Sequence, residues 1–292
     1  MKHTISNDQL EVSVLQKGTE ICNIKSAKTG LEYMWNADPD VWGSHAPVLF
    51  PAIGAIKNKE AIINGKKYPV PRHGFIRHNE DIRLVNSTTG GLNYQLDYSE
   101  KTLEVYPFKF QFNIIFTLED NKLIVSHRVE NLDDQTMYFC LGGHPAFKCP
   151  MHEGEKYEDY FLEFENVENV STTRLSSDGL ITDTTEPMIE NSKVLSLRPD
   201  LFDQDALIFK DLRSRKVSLK SHQSDHTLTV SYDDFNFLGI WAKPNSNFVC
   251  VEPWLGIADH EHTDGQFHKK EGIIALEPGK TFSASFSIAI EE

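Results

Sequence analysis

Two residues in this 292-residue chain are placed to exchange protons: His144, in Gly142-Gly143-His144-Pro145-Ala146-Phe147, and Glu252, in Phe248-Val249-Cys250-Val251-Glu252-Pro253-Trp254. His144 follows the end of an alternating strand pattern. Two glycines before it are expected to let the backbone turn, and the proline after it biases the histidine toward extended geometry. Such a side chain is held in place and suits a catalytic acid, although a loop histidine that merely closes a turn has the same surroundings. Glu252 is the odd member of an apolar strand, where a carboxylate is costly unless something uses it. Facing a cleft, it would have its pKa raised from about 4.3 by desolvation while staying mostly ionised near neutrality, the profile of a general base. Facing solvent, it would be an ordinary strand-end glutamate.

A histidine and a glutamate at the ends of two strands can form an acid/base pair across one sheet face. No covalent nucleophile is called for, and the chain has no G-x-S-x-G, G-x-G-x-x-G or H-E-x-x-H motif. Arg72-His73-Gly74-Phe75-Ile76-Arg77-His78 gathers donors that could converge on ligand oxygens. His260-Glu261-His262 with His268 is the one metal-like cluster, and its glycine- and aspartate-rich context reads as a solvated loop.

The elements that must hold these groups are strands. Phe108, Phe110, Phe112, Ile114, Phe116 and Leu118 keep a strict period of two, and Leu123, Val125, His127 and Val129 repeat it after Glu119-Asp120-Asn121. This predicts an antiparallel hairpin, extended to a three-stranded meander by Met137–Leu141. His127 falls on the apolar phase and reads as a satisfied core histidine. Hairpins are also expected around Lys17-Gly18 and Asn64-Gly65, and Phe282 to Ile290 alternates again. Ser192–Phe202 could hold a short helical turn. Trp35 and Trp42 lie in an irregular loop and read as packing residues with an exposed edge. The whole pattern predicts an all-β fold, a large antiparallel β-sandwich over residues 1–292 as a single domain, with the polar stretch Ser171–Ser192 the weakest place for a boundary.

A formal net charge of −14 and a pI near 5.3 disfavour nucleic acid and anionic membranes, leaving a small molecule as the expected partner. The four cysteines have no C-x-x-C spacing, the N-terminus has no apolar signal core and no apolar run approaches a membrane span. A cytoplasmic protein is expected.

Taken together, Leu49-Phe50-Pro51 with Ile53-Gly54, His73-Gly74-Phe75-Ile76-Arg77, the segment around His144 and the segment around Glu252 resemble the aldose 1-epimerase (galactose mutarotase) family, closest to its LacX-like branch. The resemblance spans the chain and implies a β-supersandwich, no cofactor, no metal, and interconversion of the α and β anomers of a hexose of galactose or glucose type. It implies that Glu252 takes the proton of the anomeric hydroxyl and His144 protonates the ring oxygen. It further implies a substrate-binding set of His73, Arg77, Asp205, Asn58 and Trp241, with Asp203 the alternative to Asp205. Relatives carry an arginine after the glycine, whereas Gly54 is followed here by Ala55, so Arg72 or a lysine would have to substitute. If Glu252 and Asp205 raise the pKa of His144, a bell-shaped pH profile follows. Two alternatives stay open: a hexose-6-phosphate mutarotase using Arg72, Arg77, Lys57 and Lys59, and a carbohydrate-binding protein without catalysis.

Overall fold

The alternating phenylalanines become the strand Phe110–Glu119, which pairs in register with Lys122–Asn131 through the turn Asp120-Asn121. Phe110, Phe112 and Phe116 on its inner face are fully buried, each worth about 2–3 kcal/mol of apolar burial. The computed structural model describes residues 1–292. Strand dominates, and the only α-helix is Glu100–Val105, started by Ser99, whose hydroxyl accepts from the Thr102 N–H while the Thr102 hydroxyl accepts from the Ser99 N–H.

The protein is a large antiparallel β-sandwich built mainly from one fifteen-stranded sheet. From one edge the order runs Val48–Leu49, Leu141–Gly143, Phe248–Leu255, Phe237–Trp241, Leu207–Phe209 and Tyr160–Leu175. It continues through Lys216–Ser221, Thr227–Ser231, Thr281–Glu291, Lys122–Asn131, Phe110–Glu119, Gly91–Asp97 and Arg83–Thr88. A sheet this wide cannot stay open, and it folds over so that its two halves face each other. The contact is direct at Gly143, where an added Cβ would lie 2.8 Å from the Phe286 ring of Thr281–Glu291. Between the halves lies a cluster of 69 buried residues. The N-terminal strands Lys2–Ser6, Leu10–Leu15 and Glu20–Ser26 form a separate antiparallel sheet that shares this core.

Four local expectations change, the simplest at Ser192–Phe202, which holds no helical turn: it is strand to Ser196 and then non-helical turns. Met137–Phe139 does not extend the central hairpin into a meander, since it pairs with Ile274–Leu276 in a small sheet of its own. The chain then crosses to the other half, where Leu141–Gly143 pairs with both Val48–Leu49 and Phe248–Leu255. Gly142 and Gly143 therefore belong to a strand, and their missing side chains make room for Trp254 and Phe286 rather than for a turn. Finally, Ser171–Ser192 is mostly strand: Tyr160–Leu175 and Ile181–Ser196 form a long hairpin with repeated register shifts, polar because Ile181–Ser196 has no partner on its outer edge.

Two features brace the cleft. Gly74 lies at φ +72°, and a Cβ there would sit 2.0 Å from the Phe50 carbonyl oxygen, so only glycine lets the segment around His73 lie against Phe50-Pro51. Lys270 Nζ meets Asp259 Oδ1 at 2.8 Å with both side chains buried, and Asp259 Oδ2 accepts the Lys57 N–H at 3.0 Å. No helix is long and apolar enough to cross a membrane. All four cysteines are free thiols.

Candidate active site

Glu252 sits inside Phe248–Leu255, a strand whose eight residues are all buried because it has neighbours on both sides and is packed on both faces. Its register partner on Phe237–Trp241 is Gly239, which leaves space filled by the Trp254 ring. His144 follows Leu141–Gly143, and its backbone N–H donates to the Pro47 carbonyl at 3.0 Å. The two side chains converge on the floor of a cleft of about 600 Å³, with His144 Nε2 3.2 Å from Glu252 Oε2. Their exposures are 8% and 1%, which excludes both the turn-closing histidine and the solvent-facing glutamate. The contact is not a well-formed hydrogen bond, and Glu252 Oε2 and His144 Nδ1 have no hydrogen-bond partner in the protein.

Aromatic rings fix the imidazole. Trp42 stacks on His144 with centroids 5.1 Å apart, and Trp241 and His73 present edges at 5.9 and 5.6 Å. The Trp42 loop is tied down by the Trp35 indole N–H, which donates to the Trp42 carbonyl at 2.8 Å. His73 is equally constrained. Its Nδ1 accepts the Gly54 N–H at 3.2 Å, so the neutral ring carries its proton on Nε2 and is a donor there. Arg77, on the 3₁₀ turn Ile76–His78, donates to Ser44 Oγ at 3.3 Å while its Nε is buried without a partner. On the opposite wall, Asp205 Oδ1 accepts the Ala206 N–H, and its Oδ2 lies 3.9 Å from Arg72.

The electrostatics follow from burial. Desolvation pushes Glu252 well above the usual carboxylate range, helped by Asp205, while Arg72, the Trp254 indole and Arg77 pull the other way. Desolvation, with Arg77 and Arg72 adding to it, drives His144 down to about 3, and its own carbonyl opposes this only weakly. His73 is lowered well below its ordinary value by burial and by His144. The expected increase in the His144 pKa from Glu252 and Asp205 is therefore reversed, and burial opposes ionisation of Glu252. A low-dielectric site disfavours separated charge, and the pair is most stable as neutral acid and neutral imidazole.

The cleft brings together His144, Glu252, His73, Arg77, Asp205 and Trp241 of the expected set, with Asp203 also on its wall. Asn58 is elsewhere. It lines a neighbouring cavity of about 850 Å³ with Lys57 and Lys59, reached past Arg72. The reason is local: Lys57 is anchored by its backbone to Asp259 and by Nζ to the Glu261 and Thr263 carbonyls, and Asn58 turns outward at φ +57°. The sequence offered Arg72 as one donor of a cluster, as a substitute for the arginine missing after Gly54 and as a phosphate partner, and Trp42 as packing. The arginine-rich turn and the aromatic loop carried the signal for both, but nothing in their spacing reports which elements they oppose.

His260 and His262 both face Asp183, at 3.2 and 3.5 Å, on an exposed surface, whereas His268 packs near Tyr138. His144, Cys250 and Glu252 have ligand atoms within 4.8 Å of one another, but burial raises the Cys250 thiol well above its ordinary pKa.

An antiparallel supersandwich with a polar and aromatic cleft over buried strands is the galactose mutarotase-like class of protein. Its family model, aldose 1-epimerase, matches residues 1–289. LacX from Lactococcus lactis subsp. lactis is 35% identical over 295 residues, covering 98% of each chain. A galactose mutarotase related enzyme from Lactobacillus acidophilus superposes with a TM-score of 0.94 at 38% identity, over 100% of this chain and 98% of that one. A galactose mutarotase-like protein from Lactobacillus casei gives 0.92 at 27% identity over all of both chains. This chain belongs to the aldose 1-epimerase family.

Proposed function

We propose that the protein is a mutarotase, opening and reclosing the ring of a free aldose so that its α and β anomers exchange. The observation that carries the reading is the buried pair His144 and Glu252, 3.2 Å apart on the floor of a sugar-sized cleft and each with an unpartnered polar atom. With sugar seated over the pair, Glu252 as carboxylate accepts the proton of the anomeric hydroxyl. His144 as imidazolium gives its Nε2 proton to the ring oxygen. The bond between C1 and the ring oxygen breaks, C1 becomes an aldehyde, rotation about C1–C2 turns its other face to the ring hydroxyl, and the reverse transfers close the ring. Moving one proton from Glu252 to His144 creates the reactive form from the neutral pair without exchange with solvent. Arg72 and Arg77 favour the carboxylate half of that redistribution.

The remaining cleft residues bind hydroxyls and ring faces. His73 donates from Nε2, Asp205 accepts, Arg72 supplies the guanidinium that Ala55 does not, and Trp42 and Trp241 offer surfaces to the C–H face of a pyranose. Asn58 has no part in this set. Saturation-transfer NMR between the anomeric protons of glucose, galactose and their 6-phosphates tests the reading. Exchange above the buffer rate with a free hexose is the expected result; exchange at the buffer rate for every sugar overturns it. Hexose bound without accelerated exchange would instead assign a binding protein, and a phosphorylated substrate alone would assign the sugar-phosphate enzyme. A cytoplasmic location accompanies this reading, since free intracellular sugars supply its substrate.

A further inference from the structure

Between the two halves of the sheet lies a second, much smaller cavity with about 10 Å³ of water-accessible space. His144 is the only residue that lines both it and the cleft. The opposite wall is supplied by His127 from Lys122–Asn131, whose ring lies between Phe112 and Phe286 with centroids 5.9 and 6.1 Å away. His127 is 1% exposed, and neither of its ring nitrogens has a hydrogen-bond partner in the protein. It is buried as the sequence led us to expect, but it is not satisfied. His144 Nδ1 is equally buried and unpartnered, so three orphan ring nitrogens belong to the two histidines that flank one cavity.

An unpaired imidazole is an expensive way to fill a core position that a phenylalanine or leucine would fill without penalty. The cavity has room for one water, and a buried water is held when about three polar groups surround it. A third is available: Thr19 also lines the cavity, and since its hydroxyl proton goes to the Gly18 carbonyl at 2.8 Å, its oxygen can still accept. Thr19 is fully buried at φ +50°, a left-handed conformation unfavourable for a β-branched residue.

We propose that His127 is a positioning residue for His144, joined to it through a single buried water that bridges a ring nitrogen of His127 and His144 Nδ1. In this arrangement His144 Nδ1–H donates to the water, and the water donates to His127 and to Thr19. The link fixes which nitrogen of His144 carries the permanent proton and leaves Nε2 to face Glu252. It also spreads the positive charge that His144 holds as an acid, and this part of the proposal rests on the mutarotase reading. His127 is suited to accepting because burial drives its pKa down to about 4, keeping the ring neutral.

The test begins with wild-type protein and no sugar. A long-lived water giving cross-relaxation peaks to ring protons of both His127 and His144, with ¹⁵N shifts placing the His144 proton on Nδ1, is the expected result; absence of such a water overturns the proposal. The variants His127→Phe and His127→Gln then separate positioning from packing. His127→Phe should lose the water peaks, shift the His144 tautomer and lower kcat on the order of tenfold with KM within about twofold. His127→Gln, which keeps a polar terminus, should recover most of kcat. Unchanged kcat and an unchanged His144 tautomer in a folded His127→Phe protein overturn the proposal. Failure of the wild-type protein to speed anomer exchange would overturn the mutarotase reading alone, because the water peaks and tautomer are read without catalysis.

Discussion

His144 Nε2 and Glu252 Oε2 face each other across 3.2 Å in the cleft, His144 just past the strand Leu141–Gly143 and Glu252 inside its neighbour Phe248–Leu255. Burial disfavours charge on both, so the pair holds the same number of protons as an ionised pair would, differently distributed. Glu252→Gln and His144→Ala should each lower kcat for anomer exchange by about 10² to 10⁴. Rates within a factor of a few of wild type in either variant would remove that residue from the acid/base role.

The pH profile should lack the acid limb of an exposed histidine. With His144 lowered to about 3 and Glu252 raised, the neutral pair persists through the mildly acidic range, and kcat/KM should stay flat as pH falls through 6.5. Loss is expected on the alkaline side, where Glu252 gives up its proton. An acid limb centred near pH 6.5 in folded protein would contradict the burial-driven shifts.

Stability should nevertheless fall on acidification. A histidine whose folded pKa is depressed leaves the unfolded chain binding more protons at any pH below about 6.5, so stability is lost as pH drops from there toward the folded pKa. The His144–Glu252 pair contributes almost nothing between about pH 4.5 and 6.5, since ionised and neutral forms carry equal protons. His73, lowered well below 6.5, and His127, lowered to about 4, are the deepest-buried contributors that remain; His45 and His78 are lowered in the same direction, and Glu20 and Glu32, raised by burial, oppose them. Together His73 and His127 should cost up to about 3 kcal/mol per pH unit in that window. Urea unfolding from pH 7 to 5 measures it, and His127→Phe should flatten the dependence by up to about 1.4 kcal/mol per pH unit, one histidine's share.

Gly74→Ala should destabilise by on the order of 3 kcal/mol, combining a left-handed backbone with a Cβ 2.0 Å from the Phe50 carbonyl oxygen. A urea midpoint close to wild type would show that the segment around His73 can shift away from Phe50-Pro51. Lys270→Met should cost about 3–5 kcal/mol by leaving Asp259 buried without its partner, and Asp259→Asn in the same protein should restore part of the loss.

Much of this site was legible in single residues. A glutamate in an otherwise apolar strand announces its own cost, and Glu252 proved buried for that reason. The hairpin of Phe110–Glu119 with Lys122–Asn131 was legible because local alternation sets both its face and its register. What escaped was long-range. Met137–Phe139 pairs with a strand more than 130 residues later, and no local pattern reports that choice. Gly142 and Gly143 looked like turn residues because glycine is ambiguous between freedom and smallness; only the rings of Trp254 and Phe286 decide it. Asn58 lies apart from the other expected residues because neighbours in sequence can face different cavities. The direction of the His144 shift depended on how completely Trp42 and the strands exclude water, which spacing does not encode.

The tip of the hairpin Tyr160–Leu175 with Ile181–Ser196 contributes Leu175 and Gly179 to the cleft wall, and Ile181 is fastened to the Asp259 carbonyl at 2.8 Å. The reacting pair is carried by different, deeply embedded strands. On the mutarotase reading proposed above, part of the sugar-facing wall and the proton-transferring pair thus belong to separate stretches of chain: the outer tip can be lengthened, shortened or rewritten while the pair beneath it is left intact.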